Sequence, residues 1–172
     1  HIYCTDLKAK HTDNGLRIKS ATTRGGMVED VYFVNSVLDS VRVAYQFNLN
    51  WYPAYSYSEL PAGYNIDSVP QHWKAMLQKV VPAEKGIPQT RDFFINNVTI
   101  THAQKAFEVN GLTNSRIRNF NFNNSSVSAA TLGDMIFAED WNFKQFRLVI
   151  EKKEEEKKKP AGGIEEQERL KG

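Results

Sequence analysis

Apolar residues along this chain alternate or cluster over four to six positions instead of recurring at helical spacing. Val31-Tyr-Phe-Val-Asn-Ser-Val37, Phe107-Glu-Val109 and Phe143-Lys-Gln-Phe-Arg-Leu-Val-Ile150 are rich in Val, Ile and Phe, a pattern that predicts strands. The pattern also repeats. Val31 to Val37 and Asp92-Phe-Phe-Ile-Asn-Asn-Val98 share aromatics, an aliphatic residue, then Asn, a small polar residue and Val; Ile117 to Asn124 and Phe143 to Ile150 are looser copies, and His1 to Asp6 an earlier one. Aligning Cys4, Phe33, Phe94, Phe122 and Phe146 gives steps of 29, 61, 28 and 24 residues, the long one being about two periods or one period with an insertion. Recurrence at such a period is the mark of a solenoid, each turn covering its neighbour's apolar face. Asn35, Asn96 and Asn123 fall at matching points, where Asn side chains can form a hydrogen-bonded ladder and tolerate a left-handed bend. The expectation is an all-β chain, a parallel β-helix. A β-sandwich with a strand every 8 to 12 residues is the competing reading, and it gives no reason for the recurrence.

The long step holds an exception. From about residue 48 to 89 the chain is its most aromatic and proline-punctuated, with Trp51, Tyr52, Tyr55, Tyr57, Pro61, Trp73, Pro82 and Pro88. These aromatics read equally as a sugar-stacking loop or as a satellite core beneath a long loop. Residues 1–150 thus form one β-helical domain with a long loop. Residues 151–172 form a charged tail, Glu151-Lys-Lys-Glu-Glu-Glu-Lys-Lys-Lys159 followed by Pro160-Ala-Gly-Gly163, expected to be a frayed helix or disordered.

Composition removes several function classes. With 172 residues, 41% hydrophobic and 12% aromatic, the chain can bury a sizeable core. The net charge of +2 comes without a clustered basic face, so no nucleic-acid partner is expected. No run of about 18 apolar residues is present, which excludes a membrane-spanning helix. Cys4 is the lone cysteine and leaves the redox compartment open. No cluster of His, Cys and carboxylates asks for a metal, and no cofactor is expected.

Candidate chemistry centres on Asn14-Gly15-Leu16-Arg17-Ile18-Lys19. On an extended backbone Arg17 and Lys19 share one face while Leu16, Ile18 and Ser20 take the other. A guanidinium fork beside an ammonium suits a carboxylate; by spacing alone the pair is equally two solvated surface cations, the commoner fate of these residues. His72, Trp73 and Lys74 offer a donor, a stacking face and a cation on a loop, or else simply pack. Arg24-Gly25-Gly26 reads as a turn, His102 as a corner, and Asp6, His11 and Asp13 as surface or turn residues.

Asp13-Asn-Gly-Leu-Arg-Ile-Lys-Ser20 followed by Arg24-Gly-Gly-Met-Val-Glu-Asp-Val-Tyr-Phe33 closely resembles the region after the catalytic centre in glycoside hydrolase family 28, the polygalacturonase-like pectinases. The similarity runs on through Pro70-Gln-His-Trp-Lys-Ala-Met76, Lys85-Gly86, Gly111-Leu112 and Ala138-Glu-Asp-Trp-Asn-Phe143, in the manner of the bacterial branch, and covers about residues 1 to 150. The resemblance implies a right-handed parallel β-helix, of which these are the C-terminal coils, and inverting hydrolysis of galacturonate-containing pectic polysaccharide without a metal. It assigns Arg17 and Lys19 to the sugar carboxylate and Tyr52 to the same groove, with Tyr45 nearby; the loop residues His72, Trp73 and Lys74 complete the expected substrate contacts. Inverting hydrolysis needs an acid and a base carboxylate about 6.5 to 9.5 Å apart. The family's Asn-Thr-Asp, Asp-Asp and Gly-His-Gly, upstream of Arg-Ile-Lys, do not occur here, so no residue of this chain is assigned a catalytic role. The chain is expected to be the C-terminal part of a longer, secreted or periplasmic hydrolase, inactive alone, whose exposed first coil favours self-association. A non-catalytic β-solenoid that binds carbohydrate or serves as an adhesin, and a polysaccharide lyase, are the alternatives.

Overall fold

The computed structural model describes residues 1–56 and 58–151, apart from the side chains of Pro53 and Tyr55. The expected tail from residue 152 onward, Tyr57 and the Tyr55 side chain therefore lie outside the described residues. Among the described residues strands predominate, 59% against 11% helix, so the fold is all-β.

Among the described residues nine strands form one open sheet: β1 (Ile2–Thr5), β2 (Lys8–Lys10), β3 (Asn14–Lys19), β4 (Met27–Val28), β5 (Val31–Asp39), β6 (Val43–Asn48), β7 (Gln89–Asn110), β8 (Ile117–Ile136) and β9 (Ala138–Ile150). Between β6 and β7 lie two short helices, α1 (Pro53–Ser56) and α2 (Gln71–Leu77). All eight ladders are parallel: β1 and β2 on β5, β5 on β7, β3 on β6, β6 on β7, β4 on β7, β7 on β8 and β8 on β9. A sandwich is built from antiparallel neighbours, so that reading is overturned.

Pairing joins segments far apart in sequence. Hydrogen bonds between stacked segments span 29 residues (Leu7 to Ser36), 62 (Asn97 to Asn35), 27 (Val98 to Ser125) and 21 (Asn142 to Asn121). The register keeps the letter-by-letter match of Cys4 with Phe33 but departs from it by one residue between β5 and β7 and between β7 and β8, and by three between β8 and β9. Phe33 lies opposite Ile95, not Phe94, and Ile95 opposite Phe122, while Phe122 meets Phe143 and not Phe146. The reason is side-chain direction: a slip of one residue would turn every buried side chain outward. The observed register stacks buried Phe33, Ile95 and Phe122 in one inward column and Val31, Phe93 and Phe120 in another.

A straight strand as long as β7, with 22 residues, would reach roughly 70 Å. Left-handed residues bend it instead, at Asp92, Asn97 and His102. These bends stack on equivalents in neighbouring segments: Asp30, Asp92, Asn119 and Asp140 at one corner; Asp6, Asn35, Asn97, Asn124 and Gln145 at the next; His11, Ser40 and His102 at a third. Asp and Asn are the non-glycine residues that enter this conformation most readily. The Asn ladder expected at Asn35, Asn96 and Asn123 is corrected by the same one-residue slip. Asn96 does oppose Asn123, but the Asn97 amide donates to Asn35 Oδ1 at 2.9 Å.

Rings fill the interior. Phe120 stacks on Phe93 at 4.4 Å and on Trp141 at 4.5 Å, with interplanar angles of 5° and 9°. On the outer surface Tyr3, Tyr32 and Phe94 form a second flat stack at 4.7 and 4.8 Å. Replacing Phe120 by Ala should cost about 3 to 5 kcal/mol, because the flanking rings cannot close the gap. Replacing exposed Tyr3 by Ala should cost about 1 kcal/mol. Guanidinium unfolding of both variants checks this; a loss below about 1 kcal/mol for Phe120→Ala would exclude the described register.

Candidate functional site

The site starts from β3, the last strand of its branch of the sheet, paired through β6 alone among the described residues. Leu16 is buried and Ile18 packs on the core, so Arg17 and Lys19 are turned to the opposite face. Across the ladder Arg17 faces Gln46 and Lys19 faces Asn48, then Gln46 faces Glu108 and Glu108 faces Asp134.

A chain of backbone bonds seats an indole against the two cations. Ser20 donates to the Asn48 carbonyl at 2.8 Å, and the Trp51 amide donates back to the Ser20 carbonyl at 3.0 Å. The Asn50 amide donates to Asn48 Oδ1 at 2.8 Å and the Ser56 hydroxyl to Asn50 Oδ1 at 2.9 Å, which shapes the turn after β6. Trp51 then lies with Lys19 Nζ 4.0 Å and Arg17 Cζ 5.3 Å from its ring centroid. Neither cation has an ion pair with an acidic group among the described residues, and Arg17 Nε is buried without a hydrogen-bond partner. A ring face attracts a cation but accepts no strong hydrogen bond, so the contact with Trp51 itself uses up no N–H donor of either cation, although the Arg17 Nε is buried.

Tyr52 joins this cluster through Trp51, the rings 5.9 Å apart. It also lines a pocket of about 410 Å³ with Trp73, Ala54, Leu60, Pro61 and Met76. The other members of the expected loop set lie elsewhere. His72 is exposed on α2, and Lys74 donates to the Asp67 carbonyl at 3.3 Å; neither lines that pocket. Trp51 and Tyr52 are exposed, so these two do not form a buried satellite core. Tyr45 is fully buried against Phe107 and Phe122, its hydroxyl without a partner and its pKa pushed up by burial, so it does not line the groove.

The turn holding Arg24 is tied down: its guanidinium donates to Ser58 Oγ at 3.0 Å and to the Met76 carbonyl. Gly25 has φ +64° and a Cβ there would strike the Lys85 carbonyl, so glycine is required.

No protein-family profile, curated protein or solved structure matches this chain.

Trp51 was legible only as one of the loop aromatics, and spacing did not identify its meeting with Arg17 and Lys19. Its signal was indirect: it lies three residues beyond Asn48, and only the pairing of Asn48 with Lys19 brings it under the cations. Glu108 was also missed. Burial raises its pKa, but donation from Gln46 at 2.5 Å and from Lys105 at 3.2 Å outweighs this and holds it low. Among the described residues no group of three or more His, Cys, Asp or Glu converges as a metal site, and no helix is long and apolar enough to cross a membrane.

Away from β3, the His102 imidazole contacts Asp39 Oδ1 at 2.7 Å and Lys10 Nζ reaches Asp39 Oδ2 at 3.1 Å. The Asp39 contact raises the His102 pKa, and that same bond, with Lys10 and Thr101, holds Asp39 well below the usual carboxylate range. A raised histidine pKa contributes stability that is complete below its usual 6.5 and lost as pH rises through the folded value. Asp39 contributes stability above its usual 3.8 that is lost as pH falls through its lowered value. An NMR titration should therefore place the His102 midpoint above 6.5, and Asp39→Asn should bring it down. An unchanged midpoint in that variant would show that the pair is not formed in solution.

Proposed function

We propose that the stacked parallel strands are coils of a right-handed parallel β-helix, and that the chain is the C-terminal part of a polygalacturonase-like glycoside hydrolase. On this reading Arg17 and Lys19 grip the carboxylate of a galacturonate unit in a pectic polysaccharide. The supporting observation is the joint placement of both cations over Trp51, free of acidic partners among the described residues, on one face of an edge strand.

Chemically the arrangement is a carboxylate grip with a sugar-stacking wall. The guanidinium supplies two parallel N–H donors and the ammonium a movable third. The indole beneath holds two like charges side by side, which otherwise repel, and so keeps the grip organised before a ligand arrives. Tyr52 and Trp73, sharing one pocket, offer aromatic faces to the next sugar. The acid and base of inverting hydrolysis have no counterpart in this segment's match to the family pattern, so the chain by itself binds and does not cleave. A substrate of this kind is met outside the cell or in the periplasm. The second reading, a non-catalytic carbohydrate-binding solenoid, draws on the Tyr52 and Trp73 pocket, which needs no catalytic neighbours.

Calorimetric titration with a galacturonate oligomer tests the proposal. Arg17→Ala and Lys19→Ala should each weaken binding by about 10- to 100-fold, the loss of a charged hydrogen bond, and a neutral galactose oligomer should not bind. A reducing-sugar assay should show no turnover above a heat-killed control. Equal affinity for the neutral oligomer, or no effect of either substitution, would remove the pectinase reading.

A further inference from the structure

A second concavity lies away from β3, where the first residues of β7, β8 and β9 adjoin the 113–116 loop. It has a volume of about 480 Å³ and a polar wall that includes three arginines, Arg91, Arg116 and Arg118, with Thr90, Glu84 and Glu139. None of Arg17, Lys19, Trp51 or Tyr52 lines it.

The three guanidiniums are not equivalent. Arg91 is neutralised by Glu29, its Nη2 at 2.7 Å and Nε at 2.9 Å from Glu29 Oε2, with Asp92 at 3.4 Å. Its pKa is raised by those contacts, Glu29 first. Arg116 takes Glu139, Nε to Oε2 at 3.4 Å. Arg118 sits opposite Arg91 on one side of the ladder and opposite Glu139 on the other. The Glu139 carboxylate is engaged by Arg116, and Arg118 has no ion pair or hydrogen bond among the described residues. Like charges opposite each other on neighbouring strands are unfavourable, and of this pair only Arg91 has its own counter-ion. The wall holds one more unmet group: the Thr90 hydroxyl, on a residue 1% exposed, has no partner.

Glu84 also lines the wall, so with Glu29 and Glu139 counted the pocket has no overall excess of positive charge, and what a ligand can answer is the unmet fork of Arg118. An oxyanion accepts the fork of Arg118 and lowers its repulsion with Arg91, while Arg91 and Arg116 are already held in place by their carboxylates and need little ordering. A neutral ligand can accept hydrogen bonds from these guanidiniums but relieves none of their mutual repulsion. We propose that this pocket binds a small oxyanion, either free as phosphate or carried as the carboxylate of a uronic acid, at a site independent of the β3 grip.

The test is an amide NMR titration of the full chain at low ionic strength, with inorganic phosphate in one arm, galacturonic acid monomer in a second and neutral galactose in a third. Saturable shifts in residues 89–91 and 114–118 are expected with phosphate, with galacturonate or with both, and none with galactose. A response to phosphate alone identifies a tetrahedral oxyanion as the ligand, and a response to galacturonate alone identifies the sugar acid. Arg118→Gln, an exposed position whose change keeps most of the side-chain stem, should weaken binding about 10-fold, whereas Arg17→Ala should leave these shifts unchanged. The proposal is overturned if neither anion moves these residues, if Arg118→Gln binds as well as the parent, or if Arg17→Ala abolishes the response. That last outcome would place the anion on β3, which separates failure of this site from failure of the pectinase reading.

Discussion

In-register stacking of buried rings between parallel strands is the constraint on which the rest of this structure depends. Phe93, Phe120 and Trp141 stack with nearly parallel planes at successive spacings of 4.4 and 4.5 Å, close to the distance between hydrogen-bonded strands. Ring stacking and backbone pairing therefore reinforce each other. Phe120 is covered above and below by the other two rings, and the hydrogen bonds between the strands also set the ring separation. A shift of one residue would place Asp92 or Asn119 where these rings now pack, leaving charge or amide in a dry interior.

Bends follow from that stacking. Each segment must turn at the same point as its neighbours or the columns would part, and Asp, Asn, Ser and His meet this requirement in left-handed backbone. Their side chains then continue the ladder outside the core, as Asn97 on Asn35 and Asn119 on Asp92. Corner residues thus contribute twice, through backbone conformation and through polar contacts that follow the stack.

The same rigidity gives β3 its chemistry. Leu16 and Ile18 are anchored inward, so Arg17 and Lys19 cannot turn away from the outer face, and the turn after β6 brings Trp51 to them. Elsewhere on the molecule Arg42, Arg91 and Arg116 are matched with acids. Arg17, Lys19 and Arg118 are among the cations without an acidic partner in the described residues, and their places beside Trp51 and in the Arg91 pocket direct attention to anionic ligands. The second site arises from parallel pairing, which sets Arg91 beside Arg118, whereas the first also needs the long insertion after β6 to bring Trp51 to the cations of β3.

Alternation and recurrence in the sequence were sufficient to specify strands, the stacking of segments 20 to 30 residues apart with one longer step, the long aromatic insertion between β6 and β7, and the common face of Arg17 and Lys19. These are properties of side-chain direction along one extended segment, and a single strand contains them. Register was not legible, because Phe33 can be matched by letter to Phe94 or by burial to Ile95, and only packing across strands distinguishes the two. Nor could spacing separate Tyr45, sealed in the core, from Tyr52 at the surface, or detach His72 and Lys74 from Trp73. The meeting of Trp51 with the two cations, and of Arg91 with Arg118, joins residues dozens of positions apart or on different strands. Such proximities belong to the stacked arrangement of the whole sheet, since no local segment determines which neighbour it will lie upon.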